Sequence, residues 1–184
     1  MKTSIRAFAA GLLALAAAAM ASATNNPMVG GAEMFPSRNI VQNAVNSADH
    51  TTLLAAVKAA GLVDTLESPG PFTVFAPTNS VFAKLPAGTV QTLLKPENKQ
   101  ELVKVLTYHV VPGRFTTLDL KKQIDAGGGQ AILMTVNGED LTAREDGDEI
   151  AIMDSKGDTS RITIANVMQS NGVIHVVDTV VLPS

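Results

Sequence analysis

The sequence NGVIHVVDTVVLP, residues 171–183, is largely apolar on both faces of the β-strand that it predicts. Side chains of a strand alternate between two faces. One face carries Val173, His175, Val177, Thr179 and Val181, and the other carries Ile174, Val176, Asp178, Val180 and Leu182. A strand that is apolar on both faces lies inside a molecule, with other elements packed against each side. We therefore predict an interior strand here.

The residues that precede this strand alternate with a period of two, which is typical of half-buried strands. AILMTV (131–136) is followed by Asn137-Gly138, the pair most typical of a tight hairpin turn. EIAIMD (149–154) and, after a polar turn, RITIANV (161–167) repeat the pattern. The second half of the chain is therefore predicted to be rich in β-hairpins.

The first half of the chain carries mostly helical signals. Ser37 is predicted to cap a short helix, and Asp49 a second helix that ends at Gly61. The strand at 72–76 leads through Pro77-Thr78-Asn79 into another helix, and a further helix spans 96–107. The sequence thus predicts an α+β fold in which several helices lie mostly in the N-terminal half.

The N-terminal residues predict export. Residues 1–23 combine Lys2 and Arg6, an apolar run and Ala21-Ser22-Ala23, which is the pattern of a secretory signal peptide cleaved near Ala23. Residues 24–36 are polar and rich in Gly and Pro, so we expect a flexible leader before a domain at 37–183. No second apolar segment is long enough to anchor the chain in a membrane. The expected location is therefore secreted or periplasmic.

Charge and composition exclude some partners. The whole chain has a net charge of −3, and without residues 1–23 it has 12 basic and 17 acidic side chains, a net charge of −5. A nucleic-acid-binding protein needs a basic face, so the sequence predicts no nucleic-acid partner. Cysteine is absent, so the core must stabilise the fold without disulfides.

Three ordered segments resemble the motifs of the fasciclin I family. FTVFAPTNSVF (72–82) is similar to its N-proximal motif, Tyr108-His109 to its central pair and NGVIHVVDTVVLP to its C-proximal motif. Residues 39–66 resemble the family's opening helices, so the similarity covers about residues 37–183. The resemblance implies a wedge-shaped β-sandwich with helices, an extracellular role in adhesion or matrix interaction, and no catalytic activity.

Tyr108 and His109 are the candidate interaction site. The family's Tyr-His pair is associated with adhesion in animal members, and the resemblance places that role here on Tyr108 and His109. The alternative is structural: a packed tyrosine and a tethered histidine that fix the junction between a helix and a strand.

Four further residues are predicted to have structural roles. Thr78 is expected to cap the following helix through its side-chain oxygen, with Asn79 beside it in the same turn. His175 is expected to be a buried neutral imidazole that bonds to backbone or to a hydroxyl. Asp178 points to the opposite face of the strand, so these two residues form no local dyad.

The sequence predicts neither a metal site nor a cofactor. Residues 139–158 hold eight acidic side chains against Arg144 and Lys156, but their spacing fits no calcium loop, so charged hairpin edges are the interpretation. The three histidines are scattered, and no nucleophile motif is present. The sequence therefore predicts no enzyme, although a hydrolase site assembled across the fold stays open.

Two functions follow from these observations. The first is a secreted or periplasmic fasciclin-like domain that mediates adhesion or extracellular protein–protein interaction, with a cell-surface protein or matrix component as partner. The alternative is a small-molecule carrier with a pocket at the junction of the helices and the sheet.

Overall fold

The structure, a computed structural model, describes residues 26–184, so the predicted signal peptide at 1–23 lies outside the described residues. The strands are β1 (Met28–Val29), β2 (Ala32–Glu33), β3 (Phe72–Pro77), β4 (Val110–Pro112), β5 (Gln130–Met134), β6 (Asp140–Asp146), β7 (Glu149–Met153), β8 (Thr159–Gln169) and β9 (Gly172–Val177). The helices are α1 (Ile40–Ala44), α2 (Thr51–Ala60), α3 (Val63–Glu67), α4 (Asn79–Phe82), α5 (Thr89–Leu93), α6 (Lys99–Tyr108) and α7 (Thr117–Ala126). Within residues 26–184, no helix combines the length and apolarity needed to cross a membrane.

Seven strands form the main sheet in the order β4-β3-β9-β8-β7-β6-β5. Strands β3 and β9 pair in parallel, in a register that runs from Phe72 opposite Gly172 to Pro77 opposite Val177. All the other pairs in this sheet are antiparallel. The predicted α+β class, with a large sheet and several helices, is confirmed.

Strand β9 separates two apolar cores, as its two apolar faces predict. Every residue of β9 is buried. Ile174 and Val176 pack with the helices of the first half, in a core that also takes Val74 and Ala76 from β3. Val177 packs on the other side, in a core that takes most of its residues from β5 to β8 and from α7, together with Phe75 of β3. The interior strand predicted from the sequence therefore separates the two cores, but it ends at Val177, whereas the apolar pattern continues to residue 183.

Backbone contact at the start of β9 leaves no room for a side chain. A Cβ at Gly172 would overlap the carbonyl group of Phe72 on the neighbouring strand. The preceding Asn171 is buried, and its side chain accepts a hydrogen bond from the Ile40 N–H (3.1 Å) and donates one to the Leu66 carbonyl (2.7 Å). These contacts fix α1 and α3 against the start of β9.

The helix boundaries agree with the sequence at some ends and differ at others. Helix α2 ends at Gly61, whose φ of 74° is the left-handed conformation that glycine adopts most readily. Helix α1 is capped by Asn39 and not by Ser37, because Gln42 lies three residues after Asn39 and completes a reciprocal pair of cap hydrogen bonds. Asp49 lies in a short 3₁₀ turn before α2 and does not cap that helix.

The residues predicted as a flexible leader are partly ordered. Strands β1 and β2 form a small antiparallel ribbon around Gly30 and Gly31, which both have positive φ. Val29 and Met34 are buried in the core beneath the helices. The prediction of a flexible segment over 24–36 is therefore wrong for this ribbon, because the Gly-Gly turn lets two apolar side chains reach the core.

Substitution of a β9 side chain tests the central position of this strand. Val177→Asp places an unpaired carboxylate where the side chain is almost fully buried, so we expect a loss of roughly 4–5 kcal/mol in the free energy of unfolding and little folded protein. Circular dichroism and a urea titration measure this. Val45→Asp, at a residue that is 57% exposed, is the matched control and is expected to fold normally. A Val177→Asp protein that melts cooperatively near the wild-type temperature would contradict the central role of β9.

Candidate functional site

Tyr108 ends helix α6 and is completely buried. Its hydroxyl donates a hydrogen bond to the Asp140 carbonyl (2.9 Å) and accepts one from the Ser155 N–H (3.2 Å). Burial is the main reason that the Tyr108 pKa is raised above its ordinary value, so the phenol stays protonated at neutral pH. Tyr108 thus connects α6 to the start of β6 and to the turn between β7 and β8.

His109 is also buried, and both of its ring nitrogens are occupied. The Val181 N–H donates to Nε2 (3.3 Å), so Nδ1 carries the proton and donates to the Val105 carbonyl (2.9 Å). Burial lowers the His109 pKa to about 4, so the imidazole is neutral near pH 7. The structure therefore does not place Tyr108 and His109 at an exposed interface: both side chains lie inside, where they hold chain segments together.

His175 lies on β9 beside Phe75 of β3, and the two rings stack with centroids 5.8 Å apart. The Asn166 N–H donates to Nδ1 (3.2 Å), so the Nε2 proton is donated to the Phe115 carbonyl (2.8 Å). Burial lowers the His175 pKa below its ordinary value. The imidazole is thus the buried, backbone-bonded group that the strand pattern indicates.

Asp178 follows the end of β9 and bonds to groups close by. Its Oδ1 accepts hydrogen bonds from the Arg161 N–H (2.9 Å) and from the Thr179 hydroxyl (3.1 Å). The contact with Arg161 joins β8 to the segment after β9. Neither partner is a histidine, so the carboxylate has no part in a His-Asp pair.

Thr78 and Asn79 lie where β3 turns into α4. Thr78 occupies the N-cap position, but its hydroxyl bonds to the Ser80 hydroxyl (2.9 Å) and not to a backbone N–H of the helix, so the predicted side-chain cap is wrong. Asn79 instead reaches across to α2, where it accepts a hydrogen bond from the Thr52 N–H (2.9 Å) and donates to the Thr51 hydroxyl (2.9 Å). The turn therefore joins two helices.

Asp154, in the acidic segment, is buried and has a structural role that the sequence pattern did not indicate. Its Oδ1 accepts from the N–H groups of Lys156 (3.0 Å) and Asp158 (2.9 Å), and its Oδ2 accepts from the Leu182 N–H (3.0 Å). It closes the turn between β7 and β8 and holds the segment after β9. Among residues 26–184, no group of three or more histidine, aspartate or glutamate side chains is arranged to hold a metal ion.

Two large apolar side chains project from β5 into solvent. Ile132 is 64% exposed and Met134 is 66% exposed, whereas the alternate residues Ala131 and Leu133 are buried. Strand β5 is the last strand of the main sheet and has a neighbouring strand on one side only. We refer to Ile132 and Met134 as the β5 strip.

A cavity of about 60 Å³ lies between the helices of the first half and the sheet. Side chains from α1, α2 and α3 line one wall, and Val74, Ala76 and Ile174 line the other. Its lining is almost entirely apolar, with His50 among the few polar residues. The alternative function predicted from the sequence, a small-molecule carrier, places a pocket at this junction.

A model of the fasciclin domain family matches residues 48–183. The chain belongs to this family. Among its relatives, protein sll1483 of Synechocystis sp. is 44% identical over 183 residues, which cover 98% of this chain and 93% of the relative. Immunogenic protein MPB70 of Mycobacterium bovis is 31% identical, with coverage of 95% of this chain and 92% of the relative.

A solved structure has the same fold. The FAS1 domain pair from the insect cell adhesion molecule fasciclin I aligns with a TM-score of 0.71 at 19% sequence identity. The alignment covers 79% of this chain and 51% of the solved chain. At this identity the likeness establishes the fold alone.

The pKa of His109 predicts how stability changes with pH. The ordinary imidazole pKa is 6.5 and the folded value is about 4, so the unfolded chain binds more protons between these pH values. The contribution of neutral His109 to the free energy of unfolding is fully present above about pH 6.5. It is lost as the pH falls toward 4, and the loss is about 3 kcal/mol. His50 and His175, whose pKa values are also lowered, act in the same direction.

Urea unfolding at several pH values between 7.5 and 4 measures this effect. His109→Gln, which keeps a donor and an acceptor but no titrating group, is expected to show a shallower decrease in unfolding free energy. Equal decreases for the wild type and this variant would contradict the assignment of the pH dependence to His109.

Removal of the Tyr108 hydroxyl tests its structural role. Tyr108→Phe leaves the Ser155 N–H and the Asp140 carbonyl without this partner, so the free energy of unfolding is expected to fall by about 1–3 kcal/mol. Chemical denaturation measures the difference. A change below about 0.5 kcal/mol, the size typical of surface substitutions, would mean that the hydroxyl contacts contribute little.

Proposed function

We propose that this domain acts outside the cytoplasm by surface contact, as an adhesion or protein-association module without catalytic activity. Membership of the fasciclin domain family and the fold shared with an insect cell adhesion molecule support this function. The proposed partner is an extracellular or cell-surface protein or a matrix component. The signal-peptide pattern of residues 1–23 supports a secreted or periplasmic location.

The β5 strip is the observation that carries this proposal. Large apolar side chains on a solvent-facing strand raise the free energy of the isolated domain, and burial against a partner removes that cost. Burial of one Ile or Met side chain contributes about 1.5–3 kcal/mol. The two side chains together contribute about 3–6 kcal/mol, so further contacts such as main-chain hydrogen bonds are needed to offset the cost of association.

The position of β5 in the sheet indicates how a partner would dock. A strand with a neighbour on one side can pair with an added strand along its other edge. The Val136 N–H, just beyond β5, already bonds to the Val110 carbonyl of β4, so an added strand would pair within Gln130–Met134. An extended segment of the partner would form main-chain hydrogen bonds along β5 and would cover Ile132 and Met134 with its own apolar side chains. The proposed interface is thus the exposed strand β5 and not the buried pair Tyr108 and His109 predicted from the sequence.

The interior supports a role without chemistry. Imidazole and carboxylate groups that would serve as general acids or bases in an enzyme are engaged in structural hydrogen bonds at His109, His175 and Asp154. Burial also keeps the first two imidazoles neutral. A screen of ester, peptide and glycoside substrates that found turnover would contradict this part of the proposal.

Cell retention on immobilised protein tests the β5 strip. Residues 24–184 are compared with the same protein after heat unfolding, and with the double variant Ile132→Lys, Met134→Lys. We expect retention that depends on the fold and a drop of at least about tenfold in the affinity of the double variant, because two apolar contacts are lost. The variant should keep wild-type stability to within about 0.5 kcal/mol, since both positions are exposed.

Leu118→Lys is the matched control. Leu118 is 61% exposed on α7, outside the β5 strip, and the substitution adds the same type of charge. We expect this variant to retain cells like the wild type. Equal retention by the double variant and the wild type would remove β5 as the interface, and retention that survives unfolding would remove adhesion as the function.

A further inference from the structure

The cavity between the helices and the sheet contains a polar atom without a partner. His50 lines the cavity and is only 4% exposed. Among the described residues, its Nε2 is the one buried side-chain nitrogen or oxygen that makes no hydrogen bond. A buried polar group in this state destabilises the fold, so such an atom calls for a functional explanation.

The immediate surroundings of His50 leave Nε2 open. Its Nδ1 is paired with the Ser47 hydroxyl at 2.8 Å. The Ala76 backbone lies close enough to His50 to offset part of the decrease in pKa that burial causes, but His50 Nε2 makes no hydrogen bond. The imidazole is therefore neutral near pH 7. If Nδ1 accepts the proton of the Ser47 hydroxyl, Nε2 carries the ring proton and can donate it; if Nδ1 donates to Ser47, Nε2 can accept a hydrogen bond.

The other polar side chains of the lining need no ligand. Thr107 donates to the Val103 carbonyl (2.7 Å), and both ring nitrogens of His109 are bonded to backbone. Thr65 is exposed to solvent. Among the buried polar side-chain atoms of this lining, His50 Nε2 is thus the one that lacks a hydrogen-bond partner.

Water is a poor occupant of this cavity. A buried water normally makes two to four hydrogen bonds, and in this apolar lining it would find His50 Nε2 and at most the Ala76 backbone. A charged ligand is even less favourable than water, because the lining contains no opposite charge to compensate for the loss of its hydration shell. The surroundings favour a molecule that is mostly apolar and has one polar atom.

We propose that the cavity binds a slender, uncharged, mainly apolar molecule whose single hydroxyl or carbonyl group bonds to His50 Nε2. A water-sized group needs roughly 10–15 Å³ of such space, so a cavity of about 60 Å³ holds roughly four to six nonhydrogen atoms. Short-chain alcohols and ketones have this size and chemistry. The site is separate from the β5 strip, so ligand binding here can be tested independently of the adhesion proposal.

Paired probes and a variant test the hydrogen bond. 1-Pentanol carries one hydroxyl, and n-hexane has the same number of nonhydrogen atoms and no polar group. NMR titration of the protein with each probe gives its Kd, which we expect to be on the order of 1 mM for 1-pentanol. His50→Leu should weaken 1-pentanol by about tenfold, the effect of one hydrogen bond, and should not weaken n-hexane.

Val57→Ile is the control for location. Val57 lines the cavity from α2, and one added methylene group reduces the space, so both probes should bind more weakly to this variant. The ¹⁵N resonance of His50 Nε2 in the wild-type protein is a second measurement that does not depend on the folding of any variant. It should shift on saturation with 1-pentanol and stay unchanged with n-hexane.

Three outcomes would overturn the proposal. The first is the absence of saturable chemical-shift changes around the cavity with 1-pentanol. The second is a folded His50→Leu protein that binds 1-pentanol as tightly as the wild type. The third is an Nε2 resonance that does not respond to 1-pentanol.

Discussion

Strands β3 and β9 pair in parallel over six residues, and each core takes central side chains from this pair. Because side chains alternate along a strand, Val74 and Ala76 face the helices while Phe75 faces the opposite core. A shift of one residue in the register would exchange the faces and place His175 among the helical side chains. Gly172 opposes such a shift, because the close contact with Phe72 accepts no Cβ at that position. The parallel register therefore determines both the layering and the location of the cavity.

Buried polar side chains connect segments that the two cores do not join. His109 holds the chain near Val181, His175 holds the loop at Phe115, and Asp154 holds both a turn and the residues after β9. In each case a side chain satisfies backbone groups in irregular segments, which would otherwise be buried without partners. Histidine and aspartate side chains, which serve as catalytic groups in many enzymes, thus have structural roles in this fold. His50 is the exception among the described residues, and for that reason its cavity stands apart from the rest of the interior.

The sequence predicted those features that depend on local pattern. The two apolar faces of β9 and the turn at Asn137-Gly138 follow from side-chain alternation and from the conformational freedom of glycine, and both are present. The burial of Tyr108 was not predictable with the same certainty, because its partners at Asp140 and Ser155 are more than thirty residues away in the chain. Helix α7 was missed although Thr116 and Asp119 form a capping box at its start. The exposure of the β5 strip depends on which strands become neighbours, and this cannot be predicted from the alternation of side chains along the strand alone.

The pairing of β3 with β9 also constrains when the protein can fold. Phe72 and Gly172 are about 100 residues apart, so a ribosome-bound chain that lacks residues 171–177 has neither the strand between the two cores nor Asn171, which anchors α1 and α3. Contacts of such long sequence separation form late, since a large loop must close first. Most of the polypeptide would therefore lack its final packing until β9 has been synthesised and has paired with β3.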